Sequence, residues 1–223
     1  MKRVFLIAIV ALLCNVSVAV PPKTKASEAP PAPSNETLEQ QLKDIGALLP
    51  KDLMQDIAQK HLKTDEEFKA AIKYMQGEEW VKLVETVRNK SEWIALKKFL
   101  KDSGIDMDVI INCVESFVIN LNITLEPKEP PPKKSLKAFI IDVEQNIPTV
   151  KILAALHEKM TKGNAFQKLF ERLSSQESRA LVEKVIELPE VKRMMHILAD
   201  MDVNLYDMFS LMYTFFGWGD FKH

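Results

Sequence analysis

Chemistry in this chain would have to start from its four histidines, His61, His157, His196 and His223. None stands in a metal-ligand spacing such as H-E-x-x-H, because His157-Glu158 and His196 lack a second ligand at helical spacing. They are expected to be solvated or hydrogen-bonded helix residues. The few glycines are scattered, so no glycine-rich loop can cradle a phosphate, and neither G-x-S-x-G nor S-x-x-K occurs. Carboxylates are plentiful, but lysines accompany them, as around Glu36 and Lys43 or Glu67 and Lys73, which is the pattern of a solvated helix face. The residues therefore offer no catalytic constellation, no metal site and no cofactor motif, and the reading is of a protein that is not an enzyme.

What must hold the chain together is burial. Residues 1–19 open with Lys2 and Arg3, continue through an apolar run and end with Ser17 and Ala19, the pattern of a secretory signal peptide cut after Ala19. Its loss would remove two positive charges and move the formal charge from −1 to −3. That balance carries no basic footprint for nucleic acid or anionic lipid headgroups. Cys14 would leave with the signal, making Cys113 the one cysteine of the mature chain and excluding an intramolecular disulfide. Flanked by Ile110, Ile111, Val114 and Phe117, it reads as a small buried hydrophobe. No transmembrane segment is expected once the signal is gone.

Two Pro-rich stretches punctuate what remains. Residues 20–34 have few large apolar side chains and are expected to form a flexible leader, and residues 126–134 an extended, exposed connector. Between and after them, 83–87 (LVETV) returns as 181–185 (LVEKV), a shift of 98 positions. The same shift pairs Asp44 with Asp142, Pro50 with Pro148, Phe68 with Phe166 and Phe117 with Phe215 without a gap. We read an internal duplication, residues 35–125 and 135–218, with a tail at 219–223.

Apolar spacing within each copy is helical rather than alternating. Thr37, Pro50, a Thr64-to-Glu67 capping box, Ser91 and Asp106 punctuate the first copy, and Gly104 is placed as a left-handed stop. Ser135, Pro148, Asn164, a Ser174-to-Glu177 capping box, Pro189 and Asn204 punctuate the second. The expectation is an all-α fold, a single globule of about twelve short helices from two tandem six-helix repeats. Three sequons, at Asn35, Asn89 and Asn122, fall at helix boundaries and are candidate glycosylation sites. The end of the chain is anomalous: Met194, Met195, Met201, Met208 and Met212 stand among six aromatic residues. A helix apolar on nearly every face is central in a globule, against a membrane, or beside an apolar ligand.

Residues 49–106 carry, in order, a Leu-Pro step, an amphipathic helix, DEEFKAAIKYM, EEW, LV, LKKFL and GID. This succession resembles the insect allergen repeat family, which includes the group 1 cockroach allergen, insect midgut microvillar proteins and nitrile-specifier relatives. The likeness runs over residues 37–217. It implies a shell of helices around a large apolar cavity holding fatty acids or similar apolar small molecules, in a protein secreted to the gut lumen or microvillar surface. The candidate lining would then be Leu83, Val84, Val87, Ile110, Val114 and Phe117, with Leu181, Val182, Val185, Met208, Met212 and Phe215 at the matching positions. Alternatives are a structural or interaction protein of the gut surface and a specifier of plant-toxin hydrolysis products.

Overall fold

The computed structural model describes residues 37–48, 51–126, 129–162 and 164–221. Among them the chain is all-α: six helices precede the connector, α1 (Leu38–Gly46), α2 (Lys51–Thr64), α3 (Glu66–Met75), α4 (Glu78–Arg88), α5 (Ser91–Asp102) and α6 (Met107–Ile119). Six follow it, α7 (Lys137–Asn146), α8 (Thr149–Lys162), α9 (Asn164–Leu173), α10 (Gln176–Ile186), α11 (Pro189–Asp200) and α12 (Leu205–Phe216). No strand occurs among the described residues. The signal peptide, the leader, Asn35 and Pro50 lie outside them.

Among the described residues, five helices start where a short polar side chain takes up a first-turn N–H. Thr37 accepts from the Gln40 amide, Asp106 from that of Asp108 and Asn204 from that of Tyr206. Three expected caps need correction. Thr64 is still the last residue of α2, its hydroxyl donating to the Lys60 carbonyl, and Asp65, in extended backbone, accepts from Phe68 instead. Ser174 likewise yields to Ser175, which accepts from Ser178. Ser91 already lies inside α5, after Lys90, which makes no side-chain cap.

The ends of α5 and α11 are built alike. Gly104 takes φ 91° and the Ile105 amide closes back on the Leu100 carbonyl at 2.8 Å. At the matching place Asp202 takes φ 65° and the Val203 amide closes on Leu198 at 2.8 Å. Asp is one of the few non-glycine residues that visits the left-handed region, and here its carboxylate accepts from the Ser135 hydroxyl at 2.7 Å and from Lys133 at 2.9 Å. These bonds pin the far end of the Pro-rich connector. Helix bounds follow one shift: α2 and α8, α3 and α9, α4 and α10, and α5 and α11 each start and stop 98 positions apart.

Packing crosses between the first six helices and the last six. α1 lies on α8 and α2 on α7, while α4 lies on α11 and α5 on α10. Each of these pairings is reciprocal, so exchanging the two halves turns one member into the other. The larger core joins Leu42, Ile45 and Ile57 from the first half with Val143, Ile152 and Phe166 from the second. A smaller one gathers Ala58, Phe68, Ile72, Val118 and Leu121, with Phe139 of α7 packed against it. The larger core draws its buried residues from both halves, and burial shared in this way makes one globule.

Candidate functional site

The candidate surface is carried by the last helix of each half. α6 has apolar side chains on most of its faces, yet only Ile110 and Val118 are buried. Val109, Ile111 and Phe117 are half-buried, and Val114 and Ile119 are exposed. α12 is more extreme: Tyr213 alone is buried, while Met208, Phe209, Leu211, Met212 and Phe216 are half-buried and Phe215 is exposed. Each of these helices rests mainly on its predecessor, α6 on α5 and α12 on α11. A stripe facing a filled core would be sealed on one side and polar on the other. These two helices are neither.

α12 is anchored at its end by polar bonds placed among aromatic rings. The Tyr213 hydroxyl donates to Glu183 Oε1 at 3.3 Å, and burial, helped by the Glu183 charge, pushes the phenol up to about 12. Arg179 donates to Glu183 at 2.8 Å and to the Trp218 carbonyl at 2.8 Å. Trp218 is buried, and its indole N–H reaches the Ser174 carbonyl at 3.1 Å. Phe170 stands edge-on to Phe215 at 5.4 Å and tilted to Phe216 at 5.7 Å, separations at which rings attract. At the matching place in the first half, the Gln76 amide donates to the carbonyls of Val118 and Leu121, tying the end of α6 to α3.

The twelve expected lining residues fall into different settings. Leu83, Val87, Ile110 and Val185 are buried. Val84, Phe117, Leu181, Val182, Met208 and Met212 are half-buried, and Val114 and Phe215 are exposed at 45 % and 43 %. Ile110 belongs to the larger core, and Phe117 packs on the smaller. Leu181 lines an open groove of about 780 Å³ over α5 and α10, beside Ala95, Leu188 and Glu92.

On the reciprocal face, Arg193 reaches Glu79 at 2.7 Å and Lys90 reaches Glu190 at 2.6 Å, bridging α11 to α4 and to the start of α5. The positions matching Arg193 and Lys90 under the shift of 98 are Ala95 and Leu188, which span nothing. Glu92 keeps the place of Glu190; its own first-turn backbone, the Ser91 hydroxyl and nearby lysines hold its carboxyl below the usual range.

Other candidates resolve plainly. Asn89 and Asn122 are exposed, as a glycan would need. Cys113 is a free, half-buried thiol rather than a fully buried one. Among the described residues, no group of three or more His, Cys, Asp or Glu could hold a metal ion, and no helix is long and apolar enough to cross a membrane. His157 and His196 are exposed, the latter bonded to the Lys192 carbonyl. His61 is different: it is buried and faces two carboxylates. It is a hydrogen-bonded helix residue, as expected of the histidines, but its burial and its second carboxylate were not foreseen.

Residues 37–209 match the family model described as insect allergen related repeat, nitrile-specifier detoxification. The chain belongs to this family. It is also similar to Protein G12 of Anopheles gambiae, at 26 % identity over 196 residues, spanning 84 % of this chain and 90 % of that one. The match begins at the cap of α1 and ends within α12, so family membership covers nearly every helix described here.

Proposed function

We propose that this protein is a secreted, non-enzymatic binder of fatty acids or similar apolar small molecules, acting at the gut lumen or microvillar surface. The observation that carries the reading is the apolar surface left unsealed on α6 and α12, where eleven of twelve residues of the last helix are not fully buried. An acyl chain laid against such side chains gains about 0.8 kcal/mol for each methylene removed from water. This gain needs no directional chemistry, so the site would be permissive about chain length. Met208 and Met212 suit that role, because an unbranched thioether adapts to an irregular partner. Family membership supports the proposal. Organic extraction of the purified chain followed by mass spectrometry tests it: released fatty acids support it, and a lipid-free extract from a folded sample removes it.

A second reading, an interaction protein of the gut surface, draws on apolar side chains that face outward. Ile119 is 69 % exposed and Val150 is 81 % exposed. Retention of the lipid-free chain on gut-surface material, lost with Ile119→Ser and Val150→Ser, would favour it. The family's description also includes nitrile-specifier detoxification, and a reconstituted assay in which the chain leaves nitrile yield unchanged would discard that role.

A further inference from the structure

His61 sits near the end of α2 with its side chain only 7 % exposed, 5.5 Å from the Phe68 ring and 5.8 Å from that of Phe139. Its Nδ1 lies 2.9 Å from Asp65 Oδ2 and its Nε2 lies 3.1 Å from Asp142 Oδ2. An ionised carboxylate only accepts hydrogen bonds. Both bonds therefore exist together only when the ring carries two protons. With one proton, a ring nitrogen would present its lone pair to a carboxylate oxygen at the same distance.

Neither carboxylate is free to turn away. Asp65 uses its other oxygen to cap α3 at the Phe68 amide, and Asp142 also accepts from Lys60 at 2.8 Å. The charged groups around the ring, among the described residues, are Lys60 of α2, Asp65 at the junction of α2 and α3, and Asp142 of α7. The chain contains its own control for this arrangement. Under the shift of 98, His61 matches Lys159 and Asp142 matches Asp44. Lys159 reaches Asp44 at 2.8 Å, tying α8 to α1 as His61 ties α2 to α7. The two reciprocal seams thus carry the same bond, one with an ammonium and one with an imidazole.

We propose that His61 is a proton-dependent tie between the first and last six helices, closed when its ring holds two protons and weakened when it holds one. The Lys60 ammonium holds the Asp142 carboxyl below the usual carboxylate range, with burial opposing and His61 adding to the effect, so the acceptor stays ionised while a histidine titrates. Lysine keeps its proton over the same range, which leaves the α1–α8 seam indifferent. A tie that needs both ring protons contributes at lower pH and is lost as pH rises. The inference concerns the seam and stands whatever the chain carries.

Thermal melts of the purified chain at about pH 5.5 and about pH 8 test it, with His61→Lys and His61→Gln beside the wild type. The wild type is expected to lose about 2 to 4 °C more than His61→Lys on going to the higher pH. His61→Gln is expected to be the less stable protein at the lower pH and to lack that extra slope. Equal slopes in wild type and His61→Gln would overturn the proposal. Should the variants not fold, the wild-type ring can be read directly by nitrogen-15 NMR. Two protonated nitrogens at the lower pH support the tie, and a ring that stays singly protonated throughout overturns it.

Discussion

Replacing Gly104 by alanine puts a number on how the left-handed stop after α5 is built. Two costs meet there. The backbone sits at φ 91°, outside the range an L-residue occupies comfortably, and an added Cβ would lie 2.7 Å from Leu38 Cδ2 of α1. The first cost is about 1 to 2 kcal/mol. The second forces a packed side chain to move, and overpacking of this kind costs about 1 to 3 kcal/mol, less where the neighbour can yield. Leu38 is half-buried at the first position of its helix and can yield in part. The sum expected for Gly104→Ala is about 2 to 3 kcal/mol, or roughly 4 to 12 °C in Tm for a chain of this size. Gly217→Ala is the internal reference, because φ is 68° there and no atom lies within 4 Å of the added Cβ. It should show the backbone cost alone, about 1 to 2 kcal/mol. Denaturant unfolding of the two variants, with Leu38→Ala added to Gly104→Ala, separates the terms. Equal destabilisation of both glycine variants, or no coupling between Leu38→Ala and Gly104→Ala, would refute the reasoning.

Three further outcomes follow from the packing and the caps. Ser175→Ala should cost about 0.5 to 2 kcal/mol by chemical denaturation, whereas Ser174→Ala should be close to neutral, since the Ser174 hydroxyl is buried with no hydrogen-bond partner among the described residues. Ile152→Ala, at a fully buried position in the core shared by both halves, should cost about 2 to 5 kcal/mol and lower the unfolding midpoint without splitting the transition. On the acid side, Asp142 and Asp202 are both held below the usual carboxylate range, the first mainly by Lys60 and the second mainly by the Ser135 hydroxyl and Lys133. A depressed carboxyl contributes stability above its unfolded value and loses it as pH falls, so melts should decline below about pH 4. Asp202→Asn should flatten that decline.

The helices were legible in the sequence because each half obeys one apolar period and is punctuated by residues with local reasons to stop a helix. Asp106, Asn204 and Gly104 act as their types suggested. Thr64, Ser91 and Ser174 did not, since a neighbour one residue away held the extended backbone that a cap needs. Spacing alone could not decide between adjacent candidates. The candidate surface was less legible. A repeated apolar residue looks the same whether it fills a core, as Ile110 does, or lies open, as Phe215 does. That difference depends on which helices face each other across the halves, and no local pattern encodes it. The setting of His61 was hidden for the same reason: a hydrogen-bonded helix residue was expected, but its second carboxylate, Asp142, lies on the opposite side of the connector.

The central claim is that the unsealed faces of α6 and α12 are there for an apolar ligand. Native mass spectrometry of the purified chain, before and after organic extraction, tests it most directly. The proposal predicts a mass above that of the polypeptide, lost on extraction and matched by fatty acids in the extract. A folded protein at the bare polypeptide mass, unchanged by added fatty acid, would contradict it.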